Sequence, residues 1–234
     1  MKFTYFIPPI FYKQNVKKYL NILFYKSKIT HKFKFEKNFY SRIAFVNKAI
    51  SKYKNCNYLE IGTGTETLFN SIPLKMKNKF GVDPFNGGNF KMTSDEFFEK
   101  NNEIQFDVIF IDGLHTYTQC QKDCINSIKQ LKKGGIIMLH DLLPRSEFEQ
   151  SAEHRHTAWT GDVWKVAVEL FNSKNMDFKI CNIDHGVGIL KLQDEFEYKK
   201  MPELLSQGFD DYLQYKKNFK IINSEEALDF ISND

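Results

Sequence analysis

The chain has 234 residues, a formal net charge of +4 and four cysteines, which suits one α/β domain with an appendage, or two small ones, around a sizeable core. The mild charge, with acids interspersed among bases, does not by itself call for nucleic acid. Cys56, Cys120, Cys124 and Cys181 are too few and scattered for a disulfide framework. No apolar run approaches a membrane span, and Met1 to Tyr12 lack a signal-peptide pattern, so the expectation is a reduced, cytoplasmic protein.

In chain order, residues 1–55 form a lead-in. Phe6-Ile7-Pro8-Pro9-Ile10-Phe11 reads as extended, because proline biases its predecessor away from helix. Lys13 to Lys37 is basic and aromatic, which reads either as a surface for an anionic partner or as a solvated helix face in a lysine-biased chain. Phe39 to Lys52 has Ile43, Val46 and Ile50 at helical spacing. The central unit, residues 56–194, opens with Asn57-Tyr58-Leu59-Glu60-Ile61, a buried strand. Gly62-Thr63-Gly64 follows, where glycine allows a sharp turn and close approach of a ligand. Thr65 is placed as the N-cap of the next helix, whose apolar face is Leu68, Phe69 and Ile72. Such a turn presents amide groups to a small polar ligand. A dinucleotide turn needs a third glycine; here that position is Thr67, so the NAD fingerprint fails.

Lys79 to Asp83 reads as a second strand, with Asp83 at its carboxyl end about twenty residues beyond the turn. A nucleotide fold places a ribose-binding acid there, although Asp before Pro84 also forms turns. Pro84 and Phe85 offer apolar surface to a base. Asn89 to Thr93 is expected to be a short third strand. Ser94 and Asp95 open a helix, as base-edge contacts or as a plain N-cap. Phe106 to Asp112 is the clearest buried strand. Tyr117, Cys120, Cys124, Ile128 and Leu131 then repeat at helical spacing, closed by a glycine stop at Gly134-Gly135. Cys120 and Cys124 read as two small buried residues rather than a metal pair. Ile136 to Asp141 is the next strand, parallel to the previous one by the connection rules.

Asp112 and Asp141 each end a strand. If those strands are neighbours they lie about 4.8 Å apart, at the carboxyl edge where open α/β sheets bind ligands. Two carboxylates that close need a shared proton, a basic partner or a cation. His115 and His140 stand near the same edge.

Two stretches carry a resemblance. Glu60-Ile61-Gly62-Thr63-Gly64 resembles the first motif of class I S-adenosylmethionine (SAM) dependent methyltransferases. Phe106 to Tyr117, with Lys133-Gly134-Gly135 and Leu139-His140-Asp141-Leu142-Leu143-Pro144, resembles the branch that includes macrolide-sugar O-methyltransferases. The resemblance covers about residues 57 to 145, with a weaker extension at Gly161 to Lys165. It implies a Rossmann-like fold with a mostly parallel seven-stranded sheet and helices on both faces. It implies SAM as cofactor, held by Glu60, Gly62, Thr63, Gly64, Thr65, Asp83, Pro84, Phe85, Ser94, Asp95 and Asp112. From metal-dependent relatives it implies Mg²⁺ on Asp112 and Asp141 and His115 as general base; His140, at the same edge, is a further catalytic candidate. Leu142 stands where catechol-type enzymes have a ligating Asn, so no third protein ligand can be placed.

Arg145 to Thr160, with His154, Arg155, His156 and Trp159, reads as a lid or substrate loop, or as plain surface. Asp162 is expected to cap a helix with Trp164, Val168 and Phe171 on one face. Phe178 to Cys181 and Gly188 to Leu192 would form an edge hairpin joined by Asn182 to Gly186. Residues 195–234 form a helical extension, either a subunit contact in a homo-oligomer or a cover on the sheet. The function implied is O-methylation of a small-molecule, sugar or glycan hydroxyl. The alternatives are a non-catalytic SAM-binding regulator or scaffold, and another acceptor such as nucleic acid. Nucleic-acid base methylation is disfavoured because Asp112-Gly113-Leu114-His115 replaces the Asn-Pro-Pro-Tyr motif.

Overall fold

The computed structural model describes residues 40–153 and 158–233. The segment Lys13 to Lys37 and the residues His154, Arg155 and His156 lie outside the described residues. Among the described residues, seven strands build one sheet: β1 (Tyr58–Ile61), β2 (Lys79–Val82), β3 (Phe106–Ile111), β4 (Leu131–Leu139), β5 (Lys174–Cys181), β6 (Val187–Glu197) and β7 (Ile221–Ile222). Their order is β2-β1-β3-β4-β6-β5-β7. The pairs from β2 to β4 are parallel, β6 is antiparallel to both β4 and β5, and β7 is parallel to β5. This is the mostly parallel, Rossmann-like sheet expected.

The period-two alternation of the strands sorts side chains between two apolar layers. Leu59, Ile61, Ile109, Ile111, Ile137 and Leu139 face one side. There they meet α3 (Ser94–Lys100), α4 (Tyr117–Gln130), α5 (Trp164–Asn172) and α6 (Phe209–Tyr215). Tyr58, Val108, Phe110, Ile136 and Met138 face the other, against α1 (Arg42–Ile50), α2 (Thr67–Ser71) and α7 (Ser224–Ser232). Helix α1 seats Phe45, Val46, Ala49 and Ile50; each large side chain so buried contributes about 1.5–3 kcal/mol. Cys120 and Cys124 are buried in α4, and all four thiols are free.

Several local expectations are corrected. Residues 89–93 form no strand; a single bridge joins Val82 to Phe90. Thr93, not Ser94 or Asp95, caps α3, through a reciprocal capping box with Glu96. Thr65 caps nothing: Glu66, in the left-handed region at φ 61°, holds the α2 N-cap position, and the Thr65 hydroxyl meets that of Thr67 instead. Helix α4 ends at Gln130 and β4 begins at Leu131. Gly134 and Gly135 therefore belong to the strand, within its register shift against β3, rather than to a helix stop. Asp162 does not cap α5; its Oδ1 accepts from the Tyr117 amide at 2.6 Å, capping α4 from a distant segment. The β5–β6 hairpin lies one strand in from the edge, because β7 pairs outside β5.

What positions the site is the reversal of strand order at β1. The chain runs from β1 to β2 on one side, then returns to lay β3 on the other. The loops after β1 and β3 consequently diverge, and a crevice opens at their carboxyl ends. Ile61, Ile111 and Leu139 stand in register across β1, β3 and β4, so Gly62, Asp112 and His140 are the residues that follow them at that edge.

Candidate active site

The turn after β1 is held by its own geometry. Gly62 has φ +83°, and a Cβ there would stand 2.0 Å from the Asp112 carbonyl oxygen. Only glycine lets the β1 and β3 ends approach this closely. Three contacts stitch the turn to the loop after β2. The Gly64 amide donates to Asp83 Oδ2 at 3.0 Å, the Thr63 hydroxyl donates to the Asn86 carbonyl at 3.1 Å, and the Gly88 amide donates to Glu66 Oε1 at 2.8 Å. Asp83 Oδ1 accepts from the amides of Phe85 and Asn86. Asp83 thus organises the turn and its own loop together.

Two cavities meet across this turn. One, of about 540 Å³, is lined by Pro84, Phe85, Gly113 and Leu114, with Asp83, Thr93, Ser94, Asp95 and Gln119 at its polar margin. Phe85 and Leu114 are 80% and 58% exposed, apolar surface facing open space. The other, of about 380 Å³, is lined by Glu60, Thr63, Thr65, His115, His140 and Asp141, together with Arg42, Trp159, Thr160, Asp184 and His185. Gly62, Gly64 and Asp112 line both. The expected residues therefore divide. Gly62, Gly64, Asp83, Pro84, Phe85, Ser94, Asp95 and Asp112 surround the apolar cavity, whereas Glu60, Thr63 and Thr65 belong to the polar one with the histidines.

In the polar cavity, His115 stands between two carboxylates. Its Nε2 is 3.3 Å from Asp112 Oδ1, and its Nδ1 is 3.2 Å from Asp141 Oδ2 and 3.0 Å from the Trp159 carbonyl. The carbonyl and both carboxylates only accept, so both ring nitrogens donate in the charged ring; with two acceptors on Nδ1 and one on Nε2, Nε2 is the atom left basic in the neutral ring. Burial opposes charge on His115, but the Asp112 hydrogen bond and the charges of Asp141 and Asp112 prevail and raise its pKa. The Trp159 ring packs on the imidazole with centroids 5.0 Å apart. The close backbone packing of Gly161 (φ +64°) on the His115 carbonyl anchors this segment further.

His140 lies deeper. Its Nδ1 is 3.1 Å from Asp112 Oδ1 and 3.2 Å from Asp141 Oδ1. Its Nε2 meets Arg42 Nη1 at 2.8 Å and Asp184 Oδ2 at 3.4 Å. Burial works against its charge, yet the charges of Asp112 and Asp141 and their hydrogen bonds raise its pKa well above the ordinary value. Burial likewise opposes charge on Asp112, and His140 and His115 overcome it to hold the carboxyl far below its usual range. Asp141 sits at φ +64°, a left-handed conformation that Asp tolerates better than most residues, where its carboxylate reaches both histidines.

Arg42, Asp184 and His185 escaped the sequence reading. Arg42 belongs to the lead-in, and Asp184 and His185 were seen only as a connector. The one local signal is the Asp184-His185-Gly186 turn, all three at positive φ. Glu60 was placed as a cofactor contact from its position before the glycines. It is buried, accepts from the Tyr58 hydroxyl at 2.6 Å, and burial pushes its pKa up to about 7 against the lowering effect of that hydrogen bond.

Asp112, Asp141 and His115 each offer a ligand atom, all within 4.8 Å of one another. Two carboxylates suit a hard divalent cation and an imidazole suits a transition ion, so the donor set fits a metal.

A family model described as a methyltransferase domain matches residues 75–142, which run from the turn before β2 to just beyond Asp141. That match spans under a third of the chain, and the sheet around it is Rossmann-like. No curated protein sequence matches the chain. Among solved structures, the O-methyltransferase from Bacillus cereus in complex with SAH is 12% identical, over 67% of this chain and 83% of that one, with a TM-score of 0.45. TomG from Streptomyces achromogenes, an O-methyltransferase in complex with SAM, is 10% identical over 67% and 82%, with a TM-score of 0.41. MycE, from the mycinamycin biosynthetic pathway in complex with Mg, SAH and mycinamycin VI, is 14% identical over 64% of this chain and 48% of that one, with a TM-score of 0.37. At these values no residue role passes from those methyltransferases to this chain.

Proposed function

We propose that this chain is a SAM-dependent methyltransferase that moves the methyl to a hydroxyl of a small molecule, sugar or sugar conjugate, with His115 as general base. The carrying observation is the meeting of an apolar cavity with a charged one at Gly62, Gly64 and Asp112. Bound SAM supplies an electrophilic methyl on a good leaving group. What the chain must add is position and a proton acceptor. Asp83, Pro84 and Phe85 would take the nucleoside, Ser94 and Asp95 would border its base, and the turn from Gly62 to Gly64 would carry the remainder to the junction. In the charged cavity, His115 Nε2 would accept the proton of the attacking hydroxyl. Asp112 and Asp141 would stabilise the resulting imidazolium from both sides. The Trp159 ring offers apolar surface beside His115 for the body of the acceptor.

Asp112 and Asp141, with His115 beside them, would also hold a divalent cation, which supplies Lewis acidity when bound. MycE, from the mycinamycin biosynthetic pathway, is a complex with Mg, which is compatible with that reading. Among the described residues no helix is long and apolar enough to cross a membrane. With four buried free thiols, a cytoplasmic setting is the proposed location.

The test combines calorimetry with SAM and a turnover assay that follows S-adenosylhomocysteine release over a panel of glycosides, diols and catechols, with and without Mg²⁺. The expected result is micromolar SAM binding by wild type and by His115→Ala. Turnover should fall by roughly 100-fold or more in the variant. Failure of wild type to bind SAM would overturn the reading. Loss of SAM binding in step with turnover in a folded His115→Ala would overturn the base role.

A further inference from the structure

The polar margin of the apolar cavity holds a network that methyl transfer does not use. Gln119, in the first turn of α4, lines the cavity. Its Nε2 lies 3.2 Å from Ser94 Oγ, 3.0 Å from Asp95 Oδ1 and 3.1 Å from Asp123 Oδ1. Two of these three acceptors are carboxylate oxygens, so the amide nitrogen must face them and its hydrogens are committed. Asp123 is 1% exposed and also receives a hydrogen bond from the Ser94 side chain. The second oxygen of Asp95 pairs with Lys122 at 3.1 Å. Ser94 and Asp95 are thereby engaged in holding Gln119, and the polar atom of Gln119 left to meet a ligand is its carbonyl oxygen, an acceptor.

Resting on the SAM reading above, we propose that Gln119 is the specificity-determining residue for the cofactor's base, its Oε1 accepting from the 6-amino group of the purine. Buried Asp123 acts through Gln119 as a positioning residue. An acceptor fixed in this way favours an exocyclic amine and opposes a 6-keto group, which would set oxygen against oxygen and leave both unpaired. Phe85 and Leu114 cannot make this distinction, because apolar surface meets the two purines alike.

The experiment measures the dissociation constants of S-adenosylhomocysteine and its 6-keto counterpart, S-inosylhomocysteine, by calorimetry on wild type, Gln119→Leu and Asp123→Asn. Wild type is expected to prefer the amino form by roughly 10- to 100-fold. In Gln119→Leu the preference falls to within about threefold, and the 6-keto affinity stays within threefold of wild type, the sign of an intact cavity. Asp123→Asn, which can offer an amide nitrogen and so release the fixed orientation, is expected to narrow the preference while retaining binding. Retention of the wild-type ratio in Gln119→Leu, or an equal loss of both ligands, overturns the role of Gln119 and leaves the cofactor reading standing. No binding of S-adenosylhomocysteine by wild type overturns the cofactor reading itself.

Discussion

The two cavities are built in opposite ways. The apolar one draws on short runs: Asp83-Pro84-Phe85, Thr93-Ser94-Asp95 and Gly113-Leu114. Its surface is exposed apolar side chains and capped loop ends. The charged one gathers its ionisable side chains from α1, β1, the ends of β3 and β4 and the turn between β5 and β6, with the runs Gly62 to Thr65 and Ala158 to Thr160 beside them. Its members hold one another through charge: Arg42, His140 and His115 against Asp112, Asp141 and Asp184. Binding surface can therefore be supplied by local chain, whereas a buried charge needs partners that local chain does not contain.

The sharpest way to break this pairing is at the seam. Gly62→Ala would drive a Cβ into the Asp112 carbonyl from a left-handed backbone, and a loss of roughly 3–5 kcal/mol is expected. Urea denaturation would measure it, and both cofactor binding and turnover should go together. At Gly64 a Cβ meets nothing within 4 Å, so Gly64→Ala should cost only the left-handed strain of about 1–2 kcal/mol. Equal costs at the two glycines would show that the ends of β1 and β3 do not approach at Gly62 as closely as described.

A second test separates the charged cavity from the apolar one by pH. The Glu60 carboxyl rises from 4.5 to about 7 on folding because burial disfavours its charge. The folded state therefore binds this proton more tightly than the unfolded state. Its contribution to stability is full below about pH 4.5 and is lost as pH rises to about 7, by on the order of 3 kcal/mol. Glu60→Gln, which keeps an acceptor for the Tyr58 hydroxyl, should flatten that stretch of the stability–pH curve in urea titrations. An unchanged slope would show that Glu60 is not held as described.

The smallest effect belongs to the apolar cavity. Phe85 is 80% exposed, so Phe85→Ala should leave stability within about 0.5 kcal/mol. It should weaken S-adenosylhomocysteine binding by roughly 5- to 10-fold, as expected for part of a buried aromatic face. Calorimetry on the variant checks this, and unchanged affinity would remove Phe85 from the cofactor's surroundings.

Legibility in the sequence follows the same division. The turn at Gly62 and Gly64 and the strands that lead to Asp83, Asp112 and Asp141 were readable, although these strands end at Val82, Ile111 and Leu139, because burial, alternation and glycine act within a few residues. Caps were read less well. Thr65 has the chemistry of an N-cap and does not serve as one, while Thr93 does through Glu96 three residues on, a spacing that the sequence displays. Asp162 looked like the cap of the helix it precedes, but its carboxylate serves the Tyr117 amide, across 45 positions. Which free amide a carboxylate reaches depends on packing, not on nearness along the chain.

By itself the sequence determined the alternating apolar strands, the glycine turn and the acids that end the strands, since each answers to forces felt by adjacent residues. Only the tertiary structure decided that Arg42 would reach Asp184 across 142 positions and that His140 would reach Asp112 across 28. The physical reason is that a charge withdrawn from water takes whatever opposite charge the packed helices and strands bring within reach. No local period encodes that choice.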